Sequence, residues 1–150
     1  MSQSDQEYSL DQEIADFFKK TSATRSTCDA RAKELAGGNI TPVAVQGACS
    51  YSVYAGPSTD VVVQFRLKSL ELKMENARLA QSIFGSLVPE VSFKGQIGEN
   101  IQEKEPLYVY VMNRVQGVSH LDFTLAHYQP ENSSEYFGWR KNLIADLATR

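Results

Sequence analysis

Five short stretches of this sequence carry the alternation or β-branched enrichment of strands, and one long segment of helical period lies among them. Alternation sends successive side chains to opposite faces, so stretches of this kind build a sheet with one buried face. Val43 and Val45 precede Gly47, and Tyr51, Val53 and Ala55 alternate with Ser50, Ser52 and Tyr54. The turn cluster Gly56-Pro57-Ser58-Thr59-Asp60 follows, then the strongly β-prone run Val61-Val62-Val63-Gln64-Phe65-Arg66. Val91 to Ile97 and Leu107 to Met112 supply the last two strands. Short connections between the first three of these strands predict an antiparallel meander. A helix is predicted from about Ser69 to Phe84, with Leu70, Met74, Ala77 and Ile83 or Phe84 on one face. Glu71, Lys73, Glu75 and Arg78 mark its other face, and Gly85 and Pro89 close it.

Helices flank the strands. After the capping residue Ser9, Leu10, Ile14, Phe17 and Phe18 fall at helical spacing, and Lys19 and Lys20 suit the last turn. Thr21 to Thr27 reads as a loop ending in a cap. A second helix follows, from about Cys28 to Ala36, stopped by Gly37-Gly38-Asn39. A final helix runs from Ser133 or Ser134 to Leu147, with Phe137, Leu143, Ile144 and Leu147 on its apolar side and Trp139 near it. The fold class is α+β: a five-stranded antiparallel sheet with one mid-sheet helix, two N-terminal helices and one C-terminal helix.

Composition narrows the function classes. A chain of 150 residues, 42% hydrophobic and 22% charged, suits one globular domain rather than a disordered segment. The net charge of −3 argues against a nucleic-acid partner. No apolar run approaches the roughly 20 residues that cross a bilayer. The opening Met-Ser-Gln-Ser-Asp-Gln-Glu lacks the positive and apolar regions of a secretory signal. Cys28 and Cys49 make no disulfide framework. The expectation is a reduced, cytoplasmic protein with no membrane partner.

The chemistry is sparse. There is no G-x-S-x-G elbow, no H-E-x-x-H and no EF-hand loop. His120 and Asp122 read as exposed polar residues on a loop after the last strand, and Cys49 as a structural thiol. The run Val45 to Val53 places a glycine and small residues between two strands. Such a loop can cover phosphates with backbone N–H groups, or be an ordinary hairpin. Arg66 at a strand end and Glu75 in the next helix can grasp phosphates together, or be solvated charges worth under about 1 kcal/mol. Tyr108 to Gly117 runs from an apolar strand into a polar segment. It can offer backbone groups to an adenine edge, or simply leave the sheet.

Taken in order, these stretches resemble the amino-terminal lobe of the aminoglycoside phosphotransferase-like (protein-kinase-like) family. The likeness is greatest to its fungal branch, often encoded near secondary-metabolite genes. The resemblance rests on Val45 to Val53, Val62 to Arg66, Ala77-Arg78 through Phe84 to Val91, and Leu107 through Gly117 to Asp122. It spans roughly residues 28 to 148 and implies a kinase-like N-lobe that binds ATP with Mg. Gly47, Ala48, Cys49, Ser50, Tyr51 and Ser52 would form the loop over the phosphates. Arg66 would stand in the place of the phosphate-grasping cation, with Gln64 as the alternative on the same strand face. Glu75 would be its helix partner, with Glu71 as the alternative. Met112 would wall the adenine pocket, and Asn113 to Val115 would be the hinge.

The loop has one glycine where many kinases have three, and the strand cation is arginine rather than lysine. The family's carboxy-terminal lobe carries the H-x-D loop and the metal-binding aspartate. His120-Leu121-Asp122 stands too early to be that loop. The sequence ends at Arg150, within the helix that would begin that lobe. The expectation is therefore a polar N-terminus with a first helix (1–27), an N-lobe (28–128) and a helix that would begin a C-lobe (129–150). Such a chain would hold no catalytic or metal-binding residue, would be catalytically incomplete alone, and would bind ATP–Mg weakly or not at all. Two alternatives stand beside it. One is half of a split small-molecule phosphotransferase, completed by a chain bearing the C-lobe. The other is a non-catalytic interaction module, dimerising through the C-terminal helix.

Overall fold

A computed structural model describes residues 8–127 and 133–149. Helices α1 (Leu10–Phe18) and α2 (Arg25–Ala36) precede strands β1 (Thr41–Pro42), β2 (Ser50–Ala55) and β3 (Val61–Leu67). A 3-10 turn (Lys68–Leu70) leads to α3 (Met74–Phe84), and then come β4 (Val91–Ile97), β5 (Leu107–Asn113), α4 (His120–Ala126) and α5 (Ser134–Ala148). The protein is α+β. Its antiparallel sheet has the order β1-β2-β3-β5-β4.

Register divides the side chains between two faces. Tyr51 pairs with Phe65 and Phe65 with Val109, while Val53 pairs with Val63 and Val63 with Val111. These residues, with Ala55, Leu67 and Leu107, form the covered face. α1 and α2 cover it with Ile14, Phe17, Cys28 and Ala32, all buried in the same core. Both helices start at side-chain caps. Ser9 Oγ accepts the Gln12 N–H, and Thr24 Oγ1 accepts the Thr27 N–H. The Thr24 cap starts α2 at Arg25, earlier than the apolar spacing predicts, and the expected boundary at residues 27 and 28 falls inside this helix. α2 ends at Gly37, with φ 71° and ψ −171°, a region open essentially to glycine alone.

The sheet protects both edges. β1 is two residues long and contains Pro42, which has no N–H to offer. β4 is bulged between Phe93 and Gln96, with Gly95 at φ 97°, and Arg31 donates to the exposed carbonyl of Lys94.

Three elements differ from expectation. Val43 to Val45 is not a strand, because a side chain intercepts the pairing with β2 just after the Val43 N–H, as described below. The helix expected from Ser69 begins at Met74. Tertiary hydrogen bonds claim the backbone of its first turn: Glu105 accepts from the Ser69 N–H and hydroxyl, Arg66 Nε donates to the Leu70 carbonyl, and Leu72 N–H donates to the Tyr110 hydroxyl. The segment expected to be a loop around Asp122 is the short helix α4. Ser119 caps it by accepting the Asp122 N–H at 3.0 Å.

Candidate functional site

The second face of the sheet carries Ser52 and Tyr54 from β2, Val62, Gln64 and Arg66 from β3, and Tyr108, Tyr110 and Met112 from β5. No helix buries it as α1 and α2 bury the first: all but Tyr110 retain partial exposure. The face has an apolar end and a polar end. Val62 pairs with Met112 and with Tyr54, while Gln64 and Arg66 lie farther along β3. The polar end is laced laterally. Gln64 Nε2 donates to Ser52 Oγ at 3.2 Å, and Arg66 donates to Gln64 Oε1 at 3.4 Å and to the Leu70 carbonyl at 2.9 Å. Of the sequence-derived site residues, Ser52, Arg66 and Met112 share this face with the alternative Gln64. Ser50 has the same orientation but is buried at the strand's start.

The connection from β1 to β2 runs along the edge of β2 at its first residues. Its organiser is Gln46, a buried polar residue in an exposed loop. The Gln46 carboxamide donates to the Ser52 carbonyl at 2.8 Å and accepts the Ser52 N–H at 2.9 Å. Val43 still donates its N–H to the Ser52 carbonyl at 3.0 Å, but the Gln46 amide intercepts the return bond, so the ladder stops there and Val43 to Val45 produces no strand. The amide's second donor hydrogen reaches the Val43 carbonyl at 2.8 Å. Gly47-Ala48-Cys49-Ser50 then forms a tight turn closed by the Gly47–Ser50 bridge. Gly47 is not among the residues with positive φ, and a Cβ there would meet no atom within 4 Å. Glycine is therefore not required by the backbone. Gly47→Ala is expected to leave stability unchanged or raise it by up to about 1 kcal/mol, by restricting the unfolded chain. Urea unfolding checks this, and a loss above ~1 kcal/mol would contradict it.

Several expected residues lie elsewhere. Tyr51 belongs to the core. Its ring stacks on Phe65 at 6.2 Å, and its hydroxyl donates to Asp29 at 2.8 Å. Burial, reinforced by Asp29, pushes its pKa above the ordinary tyrosine range. Glu75 lies exposed in the first turn of α3, and Glu71 is on the extended segment before that helix. Among the described residues no ion pair joins Arg66 to either; the ion pairs lie on α1 and α2. Asn113 ends β5 on the other face, and its side-chain oxygen accepts the Glu90 N–H at 2.7 Å. Arg114 places its guanidinium 3.9 Å over the Tyr54 ring and donates its backbone N–H to Asp60. Val115 is exposed beyond it. Ala48 is exposed and Cys49 half-buried in the turn. Burial pushes the other thiol, Cys28, up to about 12, far from a nucleophile's range.

Sequence reasoning missed Gln46 and Tyr110 as organisers. A lone glutamine before a glycine carries no periodic signal, and a tyrosine in an alternating strand reads as packing.

α4 and α5 meet through Phe123, His127 and Trp139, whose rings lie 4.5 to 5.9 Å apart. The rest of the apolar side of α5 stays in solvent, with Phe137 70%, Ile144 62% and Leu147 58% exposed. Among the described residues no helix is long and apolar enough to cross a membrane. Nor does any group of three or more His, Cys, Asp or Glu among them stand where it could hold a metal ion. Compared with family models, with curated proteins and with solved structures, the chain matches none.

Proposed function

We propose that this chain is a kinase-like N-lobe whose open sheet face binds ATP weakly and is catalytically incomplete alone. The observation that carries this reading is the division of that face. Val62 and Met112 offer an apolar floor for a base, beside Tyr54 under the Arg114 guanidinium, and Gln64 with Ser52, then Arg66, lie two and four residues farther along, where charged phosphates would sit. The β1–β2 turn lies at the end of β2 nearer that polar side, with short side chains in it. These residues fit a nucleoside triphosphate. They do not fit Mg, because the described residues supply no carboxylate set; the ion would travel with the triphosphate. Phosphoryl transfer needs a base and metal ligands as well as positioning. In this reading they come from a second lobe.

The test is an ATP–Mg titration followed by amide NMR. Shifts are expected at residues 47–52, 64, 66 and 112–115, saturating in the millimolar range. An affinity of about 1 mM corresponds to ~4 kcal/mol, reasonable for a ligand gripped on one side only. Unchanged resonances at 10-fold higher ATP would overturn the reading. The exposed side of α5 supports a second reading, in which the chain is completed by a partner chain or acts as an interaction module. Exposed apolar side chains gathered on one helix mark contact surfaces. Sedimentation at two concentrations separates self-association from a monomer awaiting another partner.

A further inference from the structure

α1 touches the β1–β2 loop from both of its ends. Before the helix, the Tyr8 hydroxyl accepts the backbone N–H of Gln46 at 2.8 Å. After it, Lys20 Nζ donates to the Ala48 carbonyl at 3.2 Å. The helix between is a fixed beam. Ile14 and Phe17 are buried in the core, Phe18 packs edge-on against Tyr51 at 5.2 Å, and the Lys20 carbonyl accepts the Glu105 N–H at 3.2 Å. The two contacts fall on either side of Gly47, on the residues that set where the turn sits.

The consequence runs inward along bonded groups. The Gln46 carboxamide holds the backbone of Ser52, Gln64 donates to the Ser52 hydroxyl, and Arg66 donates to Gln64. A displacement of the turn therefore reaches Arg66 through three neighbouring side chains. We propose that Tyr8 and Lys20 are positioning residues that hold the β1–β2 turn in its ligand-ready place, so that the segment around α1 sets the affinity of the open face. The ligand part of this inference rests on the nucleotide reading above. The mechanism is preorganisation: a turn already fixed loses less freedom when a ligand settles beside it.

Tyr8 is 48% exposed, so its hydroxyl can be removed without opening the core. The experiment compares wild type, Tyr8→Phe and Lys20→Met by amide hydrogen exchange, with ATP–Mg titration of the same samples. Tyr8→Phe is expected to speed exchange of the Gln46 amide about fivefold, the worth of one neutral hydrogen bond. Exchange at residues 107–111 should not move, which separates local release from general destabilisation. The ATP dissociation constant should rise a few-fold in each variant. Unchanged exchange at residues 46–50 would overturn the proposal. So would faster exchange with an unaltered dissociation constant. Faster exchange in a protein whose wild type gives no ATP response would uphold the hold on the turn and defeat the nucleotide reading.

Discussion

Phe65→Ala is expected to lower the unfolding free energy by about 3–5 kcal/mol, the range for emptying a fully buried aromatic site. Phe65 is 0% exposed at the centre of β3, between Tyr51 on β2 and Val109 on β5. Its ring stacks on Tyr51, which in turn packs against Phe18. Truncation therefore removes one wall of an aromatic row joining the sheet to α1. β-strand neighbours cannot close the gap, because their spacing is fixed by the backbone ladder. Domains of this kind have about 5–15 kcal/mol in total. The variant should show a urea midpoint far below wild type with an unchanged slope. A loss under ~1 kcal/mol would mean that the core is not packed as described.

The second large effect lies at the end of α2. Gly37 and Gly38 have φ of 71° and 73°, so a side chain at either is strained. Their surroundings differ. A Cβ on Gly37 meets nothing within 4 Å, whereas one on Gly38 overlaps the carbonyl group of Gly56. Gly56 in turn donates its N–H to the Gly37 carbonyl at 2.8 Å, so the helix end and the β2–β3 turn are joined backbone to backbone. Gly37→Ala is expected to cost about 1–3 kcal/mol, the backbone strain alone. Gly38→Ala adds a clash between main chains that no rotamer can relieve. It is expected to exceed Gly37→Ala clearly, on the order of 4 kcal/mol or more. Thermal unfolding of the pair measures the difference, and equal losses would refute the close approach.

The strands were legible because two-residue periodicity is a local property, and β2 through β5 all fall where alternation or β-branched residues place them. The helices were less so. α1 and α5 announce themselves by caps and spacing. α3 lost its first turn to bonds from Arg66, Glu105 and Tyr110, each distant in sequence or on another element. α4 spans only seven residues, too few for a period to emerge. Which candidate residues share a face was legible in part for the same reason. Ser52, Arg66 and Met112 occupy one face, but a contiguous run such as Gly47 to Ser52 cannot all face one way, and Tyr51 goes to the core. The role of Gln46 depends on a side chain imitating a strand, which no pattern along the chain encodes.

The guarded sheet edges bear on how chains of this kind meet one another. Strand-by-strand growth needs a straight row of free backbone donors and acceptors. Pro42 interrupts that row on one side, and on the other the bulge at Gly95, with the Lys94 carbonyl engaged by Arg31, bends it. Each edge of the sheet therefore makes a poor template for strand addition by a second chain.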